Sequence, residues 1–332
     1  MIEPITLAEV EAALGRITGF AFQTPVLRSD LLDGRTGAAV LSKAESSQRA
    51  GAFKFRGAYN RLSLIPAVDR PRGVVAVSSG NHGAAVSCAA EILGIPATIF
   101  IPEDAPEVKK NLMLGFGASI QTVDRNDPDR DRPARELADS TGATFVHPFE
   151  DRDVMIGQGT TALEFHRQVG DLDVLMVPMS GGGLMAGCAS AFSALSPGCV
   201  FIGVEPDNAD DTRRSFAAGN VVSIESVETI ADGLAVLSPG ENTFAINKTL
   251  VSEILTVSES SLVSAMGFAL TELGEVVEPS GAAALAALLE SDNRWDGSRV
   301  GVVLSGGNVD RAHFPEVFVG VGSQQGDRST PS

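Results

Sequence analysis

GVVAVSSGNHGAAVSCAAEILG, residues Gly73 to Gly94, decides the fold. Its first five residues are apolar and mostly β-branched, the pattern of a short buried strand. Its last eleven, AAVSCAAEILG, read as an Ala-rich helix that Gly94 stops. Between them stands a polar, glycine-containing loop, SSGNHG. Outward from this unit the same alternation repeats. ATIFI (Ala97 to Ile101) is the next strand, VKKNLMLGFG a helix, ASIQTV a strand, RDRPARELADSTG a helix, and TFVHP (Thr144 to Pro148) closes the block. Such alternation predicts a small parallel sheet covered by helices. A second block starts near Val154 with helix TTALEFHRQVG, strand DVLMVPM, loop SGGG, helix LMAGCASAFSAL and strand CVFIGVE. It continues through strand SEILTV, helices around Ser258 to Leu273 and Ser280 to Leu289, and strand VGVVLSGGN. At the N-terminus TLAEVEAALGRI has helical periodicity, with Thr6 as its cap. The expected organisation is α/β, two open twisted parallel-sheet domains. Residues 1–65 plus 150–320 form the large one, 66–149 the small one, and 321–332 a disordered tail.

Composition narrows the function. The 332 residues are 44% hydrophobic and 20% charged, with a formal net charge of −17. A sizeable core fits these values. The acidic balance argues against nucleic acid or an anionic membrane as partner, because either would require a basic patch. Cys88, Cys188 and Cys199 have no metal-binding or disulfide spacing and read as buried small hydrophobes of a reducing cytoplasm. The opening MIEPITLAEV lacks the basic and apolar regions of a signal peptide, and no apolar run reaches membrane-spanning length.

In open α/β sheets ligands bind beyond the carboxyl ends of strands, and three loops stand there. SSGNHG supplies Ser78, Ser79, Asn81 and His82 beside a helix N-terminus, more polar side chains than capping requires, which suits a carboxylate. SGGG, Ser180 to Gly183, can wrap a phosphate. It is no Walker loop, yet Gly181, Gly183 and Ala186 match G-x-G-x-x-A, and Glu205 ends the next strand near the ribose-binding distance. A nicotinamide-dependent oxidoreductase is therefore a rival reading. SGGN, Ser305 to Asn308, places a serine at a strand end, where it could turn or could bond a ring nitrogen. Finally, AGAFKFRGA (Ala50 to Ala58) sets Lys54 among small and apolar neighbours. That lysine either snorkels out or presents a desolvated amine. A phosphate loop, an anion loop, a strand-end hydroxyl and such a lysine suit pyridoxal phosphate.

Taken in order and spacing, AGAFKFRGA, SSGNHG, SGGGLMAG, EPSGAAA and LSGGNVD resemble the fold-type II pyridoxal-phosphate enzymes, in particular the serine/threonine dehydratase and serine racemase group. The resemblance runs from QTPVLRSDLL to SGGNVD and implies a tryptophan-synthase-β-like fold with the cofactor between the domains. It implies that Lys54 carries the cofactor as a Schiff base and then removes the substrate α-proton. Phe53 would lie on one ring face, with Gly233 leaving room on the other. Asn81 would bond the phenolic oxygen, Gly181, Gly182 and Gly183 the phosphate, and Ser305 the pyridine nitrogen. Ser78, Ser79, Asn81 and His82 would take the substrate carboxylate. Ser79, opposite the lysine, would allow racemisation as a second activity. The implied reaction is dehydration of a small β-hydroxy amino acid such as L-serine or L-threonine to a 2-oxo acid and ammonia. Serine racemisation and 3-hydroxyaspartate dehydration are alternatives. A homodimer is implied as well.

EPDNADD, Glu205 to Asp211, resembles the divalent-cation site of the racemase branch. Glu205, the Ala209 carbonyl and Asp211 would hold Mg2+ or Ca2+, although a solvated acidic turn explains the same residues without metal. Three departures stand out. Ala52 replaces a common serine, Ser180 replaces a glycine, and Phe149 follows His147-Pro148 where racemases often carry asparagine. Phe149 tilts the reading toward dehydratases. Arg130 stands near where relatives place a substrate arginine, and would admit a second carboxylate; a solvated helix-start charge is the plain alternative.

Overall fold

A computed structural model of the chain describes residues 3–318, apart from 79, 104, 106, 125–128 and 130. The expectations on Ser79, on Arg130 and on the tail from 321 lie outside the described residues.

The alternation becomes two sheets. The larger contains β1 (Val26–Leu27), β2 (Ala39–Ala44), β7 (Val174–Pro178), β8 (Val200–Pro206), β9 (Val251–Val257) and β10 (Arg299–Leu304), in the order β1-β2-β10-β7-β8-β9. The smaller contains β3 (Val74–Val77), β4 (Ala97–Pro102), β5 (Ser119–Val123) and β6 (Thr144–Phe145), in the order β5-β4-β3-β6. Every pairing is parallel except β1 with β2. β7 is buried along its whole length and β10 from its second residue on, as strands covered by helices on both faces must be.

Local chemistry sets most boundaries. Thr6 caps the Leu7–Ile17 helix in a reciprocal capping box with Glu9. Gly94 ends the Asn81–Leu93 helix in the left-handed conformation at φ 65°. The helix of the second block begins at Arg152, earlier than TTALEF suggests, because the Asp151 side chain accepts the amides of Asp153 and Val154. One core lies between the large sheet and the helices Arg152–Val169 and Gly183–Leu195, and a second lies under the Pro279–Leu289 helix. The Lys54–Ser63 helix packs with the small sheet's core through Phe55, Ala58 and Leu62. Among the described residues no helix is long and apolar enough to cross a membrane.

Candidate active site

The Lys54–Ser63 helix begins where the chain is pinned to the end of β10. The Phe53 amide donates to the Ser305 carbonyl at 3.0 Å and the Gly307 amide to the Gly51 carbonyl at 2.9 Å. Ala52 forms a bridge with Gly306 and is buried. These contacts place Lys54 in the first helical turn, beside the strand end that carries Ser305. Its Nζ donates to the Pro148 carbonyl at 2.9 Å, and among the described residues no carboxylate pairs with it. Burial therefore acts unopposed and pushes the amine down to about 8.

Lys43, which is fully buried, shows the contrast with half-buried Lys54. Lys43 Nζ lies 2.6 Å from Glu164 and also donates to the Thr24 carbonyl and to Gln168. Its donors are committed, so it is structural. Lys54 has no such commitment among the described residues.

SGGG connects β7 to the Gly183–Leu195 helix, with Gly182 at φ 87° as its cap. Two residues of the Glu241–Leu250 helix and its cap Gly240 shape this loop. Thr243 Oγ1 donates to the Gly181 carbonyl, Asn247 Nδ2 donates to the Gly182 carbonyl at 3.0 Å, and the Gly240 amide reaches the Gly181 carbonyl at 3.3 Å. A trans peptide points its N–H opposite its carbonyl. The amides of Gly182 and Gly183 therefore face away from Thr243 and Asn247, at a helix N-terminus, which is an anion site. The loop has no space for side chains. A Cβ on Gly181 would meet the Phe149 ring at 2.3 Å, and one on Gly182 would meet Asn247 Nδ2 at 2.7 Å. Glu150, next to Phe149, caps the Glu241–Leu250 helix by accepting the Asn242 and Thr243 amides. Composition carried no sign of these supports; the one available clue is the spacing of Thr243 and Asn247, four apart on one helix face.

SSGNHG leads from β3 into the Asn81–Leu93 helix, whose first-turn amides have no carbonyl four residues back. Asn81 donates to Glu278 and accepts from Asn308 Nδ2 at 2.8 Å. The Ser78 hydroxyl accepts the Gly80 amide at 3.2 Å. His82 is buried; burial and the nearby Lys54 charge hold its imidazole down to about 3, so it is neutral. Its Nε2 is 2.9 Å from the Val146 carbonyl, which can only accept, so Nε2 carries the proton. His82 thus offers the pocket a backbone amide and shape, and its ring proton serves Val146. Gly233 donates its amide to Ser280 Oγ at 2.9 Å, and a Cβ there would meet that hydroxyl at 3.0 Å. The structure brings Phe53, Lys54 and Ser305 together, and Asn81 joins them through Asn308, which also bonds the Ala50 carbonyl.

Glu205 and Asp211 form a separate cluster behind the glycine loop, linked to it by Thr212 Oγ1 donating to the Ser180 carbonyl at 3.5 Å. Glu205 accepts the amides of Thr212 and Arg213 at 3.1 and 3.0 Å. It therefore caps the Asp211–Ala218 helix.

The backbone amides of SGGG, the unpaired enclosed amine of Lys54 and the strand-end Ser305 fit pyridoxal phosphate. A family profile described as "Pyridoxal-phosphate dependent enzyme" matches residues 17–306. The chain belongs to that family. It is 44% identical over 320 residues to the L-threo-3-hydroxyaspartate ammonia-lyase of Saccharomyces cerevisiae, covering 96% of this chain and 98% of that one. It is 42% identical over 312 residues to the serine racemase of Schizosaccharomyces pombe, covering 93% and 97%. Maize serine racemase superposes with a TM-score of 0.91 at 37% identity, over 95% of this chain and 97% of that one. The protein is a pyridoxal-phosphate enzyme of the ammonia-lyase and racemase type, with the expected fold-type II architecture.

Proposed function

We propose that this enzyme is an ammonia-lyase that dehydrates a β-hydroxy amino acid, and that L-threo-3-hydroxyaspartate is the first substrate to test, with L-serine and L-threonine after it. The observation that carries the reading is Lys54: an enclosed amine without a carboxylate partner, at the end of β10 and beside the Phe53 ring, with its Nζ 5.2 Å from the ring centre. Pyridoxal phosphate, when bound, supplies the electron sink that α-proton removal needs. The rest belongs to the chain. The amides of Gly182 and Gly183 hold the phosphate, and Ser305 meets the ring nitrogen. The first-turn amides of the Asn81–Leu93 helix, with Ser78, take the substrate carboxylate. Lys54 Nζ, its affinity for a proton already lowered, accepts the α-proton. A neutral serine at the ring nitrogen does not enforce ring protonation, which favours elimination over transamination.

The choice of substrate follows the similarity to the yeast lyase, and to a Pseudomonas lyase of the same description at 44% identity. A second reading, serine racemisation, is favoured by Ser79 in the sequence and by the similarity to serine racemases. We further propose a divalent cation, Mg2+ or Ca2+, at Glu205, Asp211 and the Ala209 carbonyl. Both Asp211 carboxylate oxygens are buried without a hydrogen-bond partner, a disposition a cation would satisfy. Among the described residues no cluster of three His, Cys, Asp or Glu side chains accompanies it, so the carbonyl and waters would complete the shell.

One panel tests these readings. Formation of 2-oxo acid and of D-serine is measured from L-threo-3-hydroxyaspartate, L-threonine and L-serine, with and without magnesium. The expected result is fastest 2-oxo acid formation from hydroxyaspartate, abolished in Lys54→Ala. Loaded wild-type enzyme that releases no 2-oxo acid from any of the three would overturn the lyase reading. Racemisation outrunning elimination would establish the second.

A further inference from the structure

Asn81 can serve a cofactor's ring oxygen only when its amide nitrogen faces that oxygen, because the amide oxygen would repel it. The structure sets this orientation from outside the pocket. The chain of constraints starts at the Ala50 carbonyl, which can only accept. Asn308 Nδ2 donates to it at 2.7 Å and gives its other hydrogen to Asn81 Oδ1 at 2.8 Å. The Asn81 oxygen is thereby committed, so its Nδ2 must face the other way, where it donates to Glu278 Oε1. One hydrogen of that nitrogen remains without a partner among the described residues.

Two glycines and one strained residue make room for this network. Gly51 has φ 75°, and a Cβ there would meet Asn308 Oδ1 at 2.0 Å. A Cβ on Gly306 would meet Glu278 Oε1 at 2.3 Å and Asn81 Nδ2 at 3.0 Å. Ala50, which presents the anchoring carbonyl, sits at φ 58°, a conformation that disfavours residues with a Cβ. Glu278 is tied to the same loop by its own amide, which donates to the Gly306 carbonyl at 3.0 Å. Burial, with Asp232 facing it and Lys109 opposing, raises its carboxyl to about 8, so no buried negative charge pulls on Asn81 at neutral pH.

We propose that Asn308 and Glu278 are positioning residues that lock the Asn81 carboxamide with its nitrogen toward the cofactor's ring oxygen, making Asn81 a donor there. The inference rests on the pyridoxal-phosphate reading of the site and on the placement of Asn81 at the phenolic oxygen. It is tested on purified holoenzyme by pH titration of the visible absorption band, cofactor affinity and steady-state kinetics. Asn308→Leu and Glu278→Met remove the two locks, whereas Glu278→Gln keeps an acceptor oxygen. Losing one hydrogen bond to a charged oxygen predicts about a one-unit shift in the band's titration midpoint and about a tenfold loss of cofactor affinity. kcat falls while KM holds in the two disruptive variants, and Glu278→Gln restores the wild-type midpoint. Should Asn308→Leu fail to fold by circular dichroism, Asn308→Asp keeps the shape and removes the donor. Disruptive variants with wild-type midpoint and affinity overturn the inference. A wild-type protein without a Lys54-dependent visible band overturns the cofactor reading itself, and this inference with it.

Discussion

At the scale of single residues, buried Lys43 and half-buried Lys54 show how partners decide chemistry. Lys43 is held by Glu164, Thr24 and Gln168, while among the described residues Lys54 has only the Pro148 carbonyl. With its amine near 8, Lys54 is mainly protonated at neutral pH, and only the neutral fraction attacks. Reloading of the cofactor-free protein with pyridoxal phosphate should therefore speed up about tenfold per pH unit below 8 and level off above it. Growth of the visible band in stopped flow measures this; a rate still climbing as steeply well above pH 8 would place the amine at its ordinary value. The small neighbours of Lys54 in AGAFKFRGA left it either snorkelling or desolvated, and the other motifs of the resemblance singled it out as the candidate. The pairing of Lys43, in AVLSKA, was not legible, since Glu164 and Gln168 come from segments more than a hundred residues away.

Glu205 and Asp211 carry the opposite pressure. Burial and the facing Asp211 push Glu205 up to about 8, and burial pushes Asp211 up to about 7. In the unfolded chain these acids lose their protons near pH 4, so the folded protein holds more protons between about pH 4 and pH 8. Stability of the metal-free protein should therefore fall as pH rises through that window, and magnesium should flatten the fall. Asp211→Asn should raise the melting temperature in EDTA by about 2–4 °C, the response of a large domain to about 1 kcal/mol, and abolish the shift with magnesium. Differential scanning calorimetry with and without magnesium reads both; a variant that keeps the wild-type shift would remove Asp211 from the site.

At the scale of elements, the glycine loop depends on a neighbour. SGGG announces flexibility, but the direction of its amides is set by Thr243 and Asn247 on the Glu241–Leu250 helix. Thr243→Val retains the shape and removes one hydrogen bond, which should cost about 1 kcal/mol in stability and about fivefold in cofactor affinity. Equilibrium dialysis of the cofactor tests it, and unchanged affinity would mean that the loop holds its shape alone. Apolar periodicity predicts no helix over Glu241–Leu250, Asp211–Ala218 or Lys54–Ser63. Each carries polar residues at positions that turn out buried, such as Asn60, Thr212 and Asn247, so apolar periodicity was weak there. Strands β3 to β10 and the helix that Gly94 ends were legible because β-branched runs and terminal glycines are local signals, whereas β1 and β2 were not read.

At the scale of the molecule, an enclosed charge network joins segments that are distant along the chain. Arg56 bonds Glu45 and Glu164, and Glu164 also bonds Lys43, all at 2.6 to 2.8 Å. Burial opposes the Arg56 charge, yet the two carboxylates hold its guanidinium above the ordinary arginine value. The network ties β2, the Lys54–Ser63 helix and the Arg152–Val169 helix into one frame behind Lys54. Arg56→Met leaves two buried carboxylates sharing one lysine, and should destabilise the protein by about 3–5 kcal/mol. Urea denaturation measures this; a loss below about 1 kcal/mol would show that the network is dispensable.

The alternation of strands and helices followed from the sequence itself, because each element depends on neighbours close along the chain, and the order and spacing of the motifs marked Lys54 and the SGGG loop as candidates through their resemblance to a family. The tertiary structure alone decided which lysine is paired, which way the loop amides and the Asn81 carboxamide point, and that Glu205 caps a helix next to Asp211. Those outcomes depend on donors and acceptors brought together from distant segments, and on burial, which shifts the charge of a group only after the fold has closed around it.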